Sequence, residues 1–334
     1  LFRSGRIMDQ KRFEQITSQY SEKSILVIGD LMIDAYLWGI AERISPEAPV
    51  PIVHIQETNE NPGGAGNVVA NLRKLGAQVT IIGVVGDDIH GEKLVNLFDQ
   101  NGVDSSGILK DKSRPTSVKT RVIAHGQQVV RIDQESLEHY SINLYKSLKT
   151  MTSEMIKNFD AVIIEDYNKG LFTPDFIQHI ITTCNAENIP VYVDPKKQNI
   201  EAFRNVRLFK PNFPEFLNCI SEEFEETRFQ ELGMKLRDSM NVELLMVTRG
   251  KDGIALFSEE GLNTIPTKAR RVHDVSGAGD SVISTFTLSD LSGASATEAV
   301  VLANYAAGKV CEEVGVVPIS LEKLSEILDY HNNS

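Results

Sequence analysis

The sequence predicts an α/β protein, with a mostly parallel central sheet between two layers of helices and a small β-lid projecting from it. Three observations predict this. Short, continuously apolar runs alternate with longer helical stretches along most of the 334 residues, as expected of strands buried on both faces and joined by crossovers. Four of these runs close on a polar group, Asp30, Asp166, Asp194 and Asn212, and open α/β sheets bind ligands at the carboxyl ends of their strands. Two segments, residues 36–55 and 116–133, break the alternation and read together as the lid.

In chain order, residues 1–20 read as an N-terminal extension, with a short polar surface helix from Asp9. Residues 21–334 read as one domain, with lid insertions at about 36–58 and 116–134. Ser24–Gly29 is the first buried strand, and Asp30 and Asp34 follow it. Asp30 reads equally as a turn residue or as a ligand group. Residues 45–51 carry three prolines, too many for a central strand or a helix. The run from Asn61 to Asn67, with Gly63, Gly64 and Gly66, reads as a glycine-rich helix start, and Gly76 as the end of that helix. Strands follow at residues 78–85, 161–166, 190–194, 208–212 and 243–248, then a hairpin over 253–265. Helices are expected at 91–101, 173–188, from Pro214, and at 277–291, 297–311 and 321–331. In the lid, residues 118–124 and 127–133 form a hairpin turning at Gly126.

Composition narrows the function. The formal net charge is −12, which argues against non-specific binding to nucleic acid or anionic membranes. An anionic substrate then needs locally placed cations. Cys184, Cys219 and Cys311 show neither metal spacing nor a disulfide framework, consistent with a reducing cytoplasm. No apolar run reaches the roughly 20 residues of a membrane span, and no signal peptide is visible.

The chemistry centres on Asp274-Val275-Ser276-Gly277-Ala278-Gly279-Asp280 and the apolar run after it. Small residues opening a helix leave its first N–H groups facing outward, and these form an anion site. Asp280 at that site repels a phosphate. It is suited to taking a proton from a hydroxyl that attacks a phosphoryl group. Gly63-x-Ala65 resembles a dinucleotide fingerprint only superficially, because it does not follow the first strand and lacks the third glycine.

Gly63-Gly64-x-x-Asn67 and Asp274-x-x-Gly277-Ala278-Gly279-Asp280 resemble the two signatures of the ribokinase/PfkB sugar kinases. Asn212-Phe213-Pro214-Glu215 is similar to that family's N-x-x-E element, and Thr248-Arg249-Gly250-x-x-Gly253 to its nucleotide loop. Residues 43–51, 61–65, Asp166-Tyr167-x-Lys169-Gly170 and Asp194-Pro195-Lys196 resemble the D-glycero-D-manno-heptose 7-phosphate 1-kinases within it. That resemblance implies a ribokinase-like fold, and a kinase without the nucleotidyltransferase domain that the branch often carries. It implies ATP and Mg²⁺ as cofactors, admits a monovalent cation, and points to a sugar phosphate as substrate. Asp280 becomes the base, and Gly277, Ala278 and Gly279 the anion hole. Asn212 and Glu215 organise Mg²⁺ and phosphates, with Glu215 acting on the metal through water. Thr248, Gly250, Gly253 and Asn304 line the nucleotide. Asp34, Gly63, Gly64 and Asn67 bind sugar hydroxyls, and Asp166 and Lys169 reach substrate or phosphates. Lys119, Arg121 and Arg131 of the lid hairpin are the expected holders of the sugar's phosphate, Arg121 foremost. Apolar residues on both faces of the lid predict a homodimer through it.

Overall fold

The computed structural model describes residues 8–267, 275–313 and 315–328. His273 and Asp274, and the end of the last expected helix, lie outside the described residues. The chain opens with α1 (Gln10–Thr17), β1 (Ser24–Gly29), β2 (Leu31–Ile44), β3 (Pro51–Gly64), α2 (Ala65–Lys74), β4 (Gln78–Gly86), α3 (Ile89–Gln100) and β5 (Asp104–Asp111). It continues through β6 (Ser117–Ala124), β7 (Gln127–Gln134), α4 (Ile142–Met155), β8 (Ala161–Glu165), α5 (Pro174–Ala186), β9 (Val191–Asp194), β10 (Leu208–Phe209) and α6 (Phe213–Cys219). It closes with α7 (Phe229–Met240), β11 (Leu244–Thr248), β12 (Ile254–Ser258), β13 (Gly261–Ile265), α8 (Ala278–Leu291), α9 (Ala296–Cys311) and α10 (Leu321–Ser325).

Nine of these strands form one sheet in the order β13-β12-β11-β10-β9-β8-β1-β4-β5. Its pairs are parallel except at the β11-β12-β13 edge. In β1, alternate residues feed two cores. Ile25 and Val27 pack with α2, α8 and α9, whereas Leu26 and Ile28 pack with α5 and α7. A strand sandwiched in this way reads as an unbroken apolar run. The α/β expectation is met.

The lid is a second sheet of four strands in the order β3-β2-β6-β7. It is larger than residues 36–58 and 116–134 suggested. β2 leaves the central sheet one residue after β1 and pairs with β3 from Leu31↔Gly64 out to Ile44↔Pro51. Asn61–Gly64 is therefore strand, not helix start, and α2 begins at Ala65 with Gly64 as its N-cap. Pro62 is tolerated inside β3 because β3 is an edge strand. Three further elements, β5, α4 and α7, have no counterpart in the sequence reading.

Asp30 joins these parts. It is buried, and its carboxylate accepts the backbone N–H groups of Tyr167 (2.8 Å), Lys169 (3.1 Å) and Leu171 (3.3 Å). Its carbonyl accepts the N–H of Ala65 at the head of α2 (3.0 Å). Of the two readings open for Asp30, the structure shows the turn role. Replacing Asp30 with Asn puts an amide NH₂ among donors. Asp30→Asn is expected to lower stability by about 1.5–3 kcal/mol, the worth of hydrogen bonds to a charged group. The check is the denaturant midpoint at unchanged slope, and a wild-type midpoint would show that the loop does not depend on this carboxylate.

Candidate active site

The site lies along the carboxyl ends of β1, β8, β9 and β10, beneath the lid, at the N-terminus of α8. Gly277 caps α8 with φ of 78°, a left-handed backbone, and a Cβ there would lie 2.7 Å from Asn67 Nδ2. Ala278 N–H donates back to Val275 O (3.3 Å), and Ser281 N–H is bonded to Gly277 O (3.0 Å). The Ala278 amide is thus partly committed to the turn, although it was expected to serve the anion hole.

Asp280, in the first turn, is buried. Its carboxylate accepts from Asn67 Nδ2, and from the Tyr167 hydroxyl at 2.8 Å. Burial and the nearby Asp194 carboxylate push its pKa up to about 6, against the pull of these two donors and of Lys210. Burial and the charge of Asp280 push the Tyr167 phenol well above its usual value, so Tyr167 stays a donor. A carboxylate held on two sides, with raised proton affinity, at the head of a helix is equipped as a general base toward a hydroxyl.

Of the expected sugar-side residues, Asn67 reaches Asp280 directly. Asn67 sits in the first turn of α2, steadied by Asn71 Nδ2, which donates to the Asn67 carbonyl at 2.8 Å. Asp34 is buried on β2 and bonds Arg121 on β6 at 2.5 Å. A Cβ on Gly63 would stand 2.2 Å from Asp34 Oδ2, so glycine is required for the carboxylate to lie across β3. Gly64 follows with φ of 60°. Asp166 turns elsewhere. It accepts from Asn168 N–H (2.7 Å) and Asn199 Nδ2 (3.4 Å), and burial with Asp30 nearby pushes it up to about 7.

The residues expected on the nucleotide side form a second group. Asn212 and Glu215 cap α6 reciprocally. Glu215 N–H donates to Asn212 Oδ1 (2.9 Å), and Asn212 N–H to Glu215 Oε2 (2.8 Å). Glu215 Oε1 pairs with Lys196 at 3.0 Å. Asn212 is bridged to Thr248, bringing the cap beside the loop in which Gly250 and Gly253 have φ of 57° and 82°. Asn304 is buried on α9 and donates to Pro266 O at 2.8 Å, a structural bond.

On the lid, Arg121 and Arg131 are paired across β6 and β7, as the hairpin predicts. Their surroundings differ. Arg121 is largely buried against Asp34. Every residue of β7 is exposed, and Arg131 bonds Asp133 at 2.9 and 3.0 Å. Lys119 faces Asp133 (3.7 Å) and Glu135 (3.8 Å), and Glu135 also pairs with Lys169 at 2.9 Å. The structure thus brings Lys119, Arg121 and Lys169 under the lid and leaves Arg131 at its outer edge.

Three contributors escaped the sequence reading as site groups. Tyr167 orients Asp280. Lys210 is buried and pairs with Asp194 at 2.6 Å, directly under Gly279, whose Cβ would lie 3.5 Å from Lys210 Nζ. Glu165, fully buried, faces Asp194 and Asp280. Tyr167 stands within the Asp166-Tyr167-x-Lys169-Gly170 motif, Glu165 directly precedes it and Lys210 lies two positions before Asn212, and that proximity was the available signal.

The profile of the pfkB family carbohydrate kinases matches residues 22–324. The chain belongs to that family. It is 40% identical over 308 residues to a bifunctional protein HldE of Helicobacter pylori strain J99, and 40% identical over 311 residues to that of Campylobacter curvus. These alignments cover 92% and 93% of the chain but only 66% of each relative. The fold is similar to Escherichia coli phosphofructokinase-2 in complex with potassium, with a TM-score of 0.77 at 20% identity over 93% of this chain and 99% of the other. It is also similar to a ribokinase-named structure from Agrobacterium tumefaciens, with a TM-score of 0.75 at 20% identity over the same shares. The ribokinase-like architecture and the activity class, a carbohydrate kinase, are therefore established.

Proposed function

We propose that the protein transfers the γ-phosphoryl group of ATP to the anomeric O1 of D-glycero-D-manno-heptose 7-phosphate, giving the 1,7-bisphosphate in the cytoplasm on the way to ADP-heptose. The observation that carries the transfer is Asp280, held by Asn67 and Tyr167 at the head of α8. The motifs shared with heptose 7-phosphate kinases, together with the 40% identity to HldE proteins, support the sugar.

Asp280 takes the proton of the O1 hydroxyl as O1 attacks phosphorus. The α8 N-terminus, with Lys210 beneath Gly279, faces the charge that builds on the transferring group. Asp34, Gly63, Gly64 and Asn67 position the sugar. Glu215 suits Mg²⁺ held through water, since both of its oxygens already accept protein donors. When bound, Mg²⁺ neutralises phosphate charge. Lys119, Arg121 and Lys169 are placed to receive the sugar's phosphate, and Arg131 serves it from the edge. The lid also supports a homodimer. Val129, Val130 and Ile132 on β7, and Ile44, Val50 and Ile55 on β2 and β3 and the turn between them, are exposed apolar residues on a sheet with open edges.

ADP formation from ATP against a panel of sugars and sugar phosphates tests the substrate, and preference for ribose or fructose would overturn the heptose reading. Asp280→Asn should bind ATP normally and lose about 10²–10⁴ in kcat, the usual share of general-base catalysis; near wild-type turnover would remove the assignment. Arg121→Ala should raise KM for the sugar phosphate and leave that for ATP unchanged, with little effect on an unphosphorylated sugar. Equal loss on both sugars would place the phosphate elsewhere. Light scattering should give about twice the monomer mass of 37.1 kDa at micromolar concentration, and a monomer would count against the lid interface.

A further inference from the structure

Arg121 makes contacts of different kinds on its two sides. Its guanidinium bonds the Asp34 carboxylate at 2.5 Å, and its central carbon lies over the Tyr36 ring, 5.2 Å from the centroid. Tyr36 is buried on β2 and stands directly across from Arg121 of β6 in the strand register, while Asp34 stands across from Lys119. Residues two apart on a strand project from one face. Asp34 and Tyr36 therefore share the face that carries Arg121, Asp34 meeting it diagonally and Tyr36 squarely. The Tyr36 ring is itself stacked on Trp38, the next residue outward on that face, with centroids 6.3 Å apart and planes inclined at 16°.

These contacts fare differently when a substrate enters. Asp34 turns to a sugar hydroxyl and Arg121 to a phosphate, and each does so at the expense of their mutual bond. A guanidinium released by its carboxylate swings on a flexible stem, and ordering it for a ligand costs side-chain entropy. A second carboxylate would restrain it only by occupying its N–H donors. Lys119 and Lys169 are held in that way, by Asp133 and Glu135. A ring face restrains a guanidinium through its π cloud and takes none of those donors. Tyr36 therefore holds Arg121 without competing with an incoming phosphate, and Trp38 keeps the ring from turning away.

We propose that Tyr36 is a specificity-determining positioning residue: its ring holds Arg121 in place for the phosphorylated end of the substrate while Asp34 exchanges Arg121 for a sugar hydroxyl. This rests on the roles given above to Arg121 and Asp34. It adds that discrimination between a sugar phosphate and the bare sugar depends on an aromatic side chain that touches neither.

The test is a double-mutant cycle between Tyr36 and Arg121, read in KM and in nucleotide-free binding of the sugar phosphate. Binding is followed by the emission of Trp38, the one tryptophan of the chain. Tyr36→Leu should weaken the sugar phosphate about 5–30-fold, the worth of a desolvated cation–π contact, and leave KM for ATP unchanged. Tyr36→Phe, which keeps the ring, should restore the affinity. In an Arg121→Ala background Tyr36→Leu should cost nothing further, because no cation is left to hold. If Tyr36→Leu does not fold, as judged by thermal melting, Tyr36→Met replaces it with the same expectation. A Tyr36→Leu protein that melts lower yet binds the sugar phosphate as the wild type does, a Phe variant as weak as Leu, or a loss that persists in full without Arg121 overturns the proposal. Failure of the underlying reading looks different: Arg121→Ala itself would then bind the sugar phosphate normally, and both would fall. If the substrate panel selects another sugar phosphate, the cycle runs on that compound with the same expectations.

Discussion

The site depends on one buried carboxylate that does no chemistry. Asp30 gathers three backbone N–H groups of the loop after β8 and, through its carbonyl, the first N–H of α2. The loop delivers Tyr167 and the helix delivers Asn67, and these two hold Asp280 from opposite sides. Burial pushes the Asp30 pKa up, while the three N–H groups and Arg114 oppose that push. Arg114 secures the same loop from its other side through the Lys169 carbonyl at 2.7 Å, and lies over the Tyr140 ring. The geometry of the base is thus fixed by backbone hydrogen bonds one shell away.

The lid and the central sheet are continuous. β2 begins one residue beyond Asp30, and β3 ends where α2 begins. Asp34, Gly63 and Gly64 therefore belong to the root of the lid, and Asp34 meets Arg121 across the lid's own sheet. The outer lid therefore grows from the same strands as the residues proposed to position the sugar.

The central strands were legible because they are almost continuously apolar, as a two-sided core requires. Of their four polar ends, Asp194 and Asn212 stand at the candidate site, whereas Asp30 secures a loop and Asp166 turns elsewhere. β5 was missed because it is an edge strand with half-exposed, mixed residues, so neither alternation nor an apolar run marks it. α4 and α7 bury only a narrow stripe beneath a polar surface. The extent of the lid was set by pairing between residues more than 30 apart, from Leu31 to Gly64, and no local pattern records that. Among site residues, those in short motifs were found. Tyr167 was quoted only as part of a motif, with no role, and Lys210 was not singled out, since a tyrosine or lysine beside a strand end is unremarkable until the fold turns it toward Asp280.

Among the described residues under the lid and along the strand ends, four cationic groups are already matched with carboxylates of the same chain: Arg121 with Asp34, Lys169 with Glu135, Lys196 with Glu215, Lys210 with Asp194. These pairs are in this sense self-quenched. An incoming anion does not fall into a standing positive field. It must displace an internal counter-ion, and affinity becomes the difference between two partnerships. Small adventitious anions gain little by such an exchange. A ligand that presents a phosphate and hydroxyls together satisfies both sides, because each carboxylate that gives up its cation becomes an acceptor for a hydroxyl. Selectivity then lies in the pairing arithmetic of the cleft, and an acidic protein can hold an anionic sugar without carrying a surface that attracts every polyanion around it.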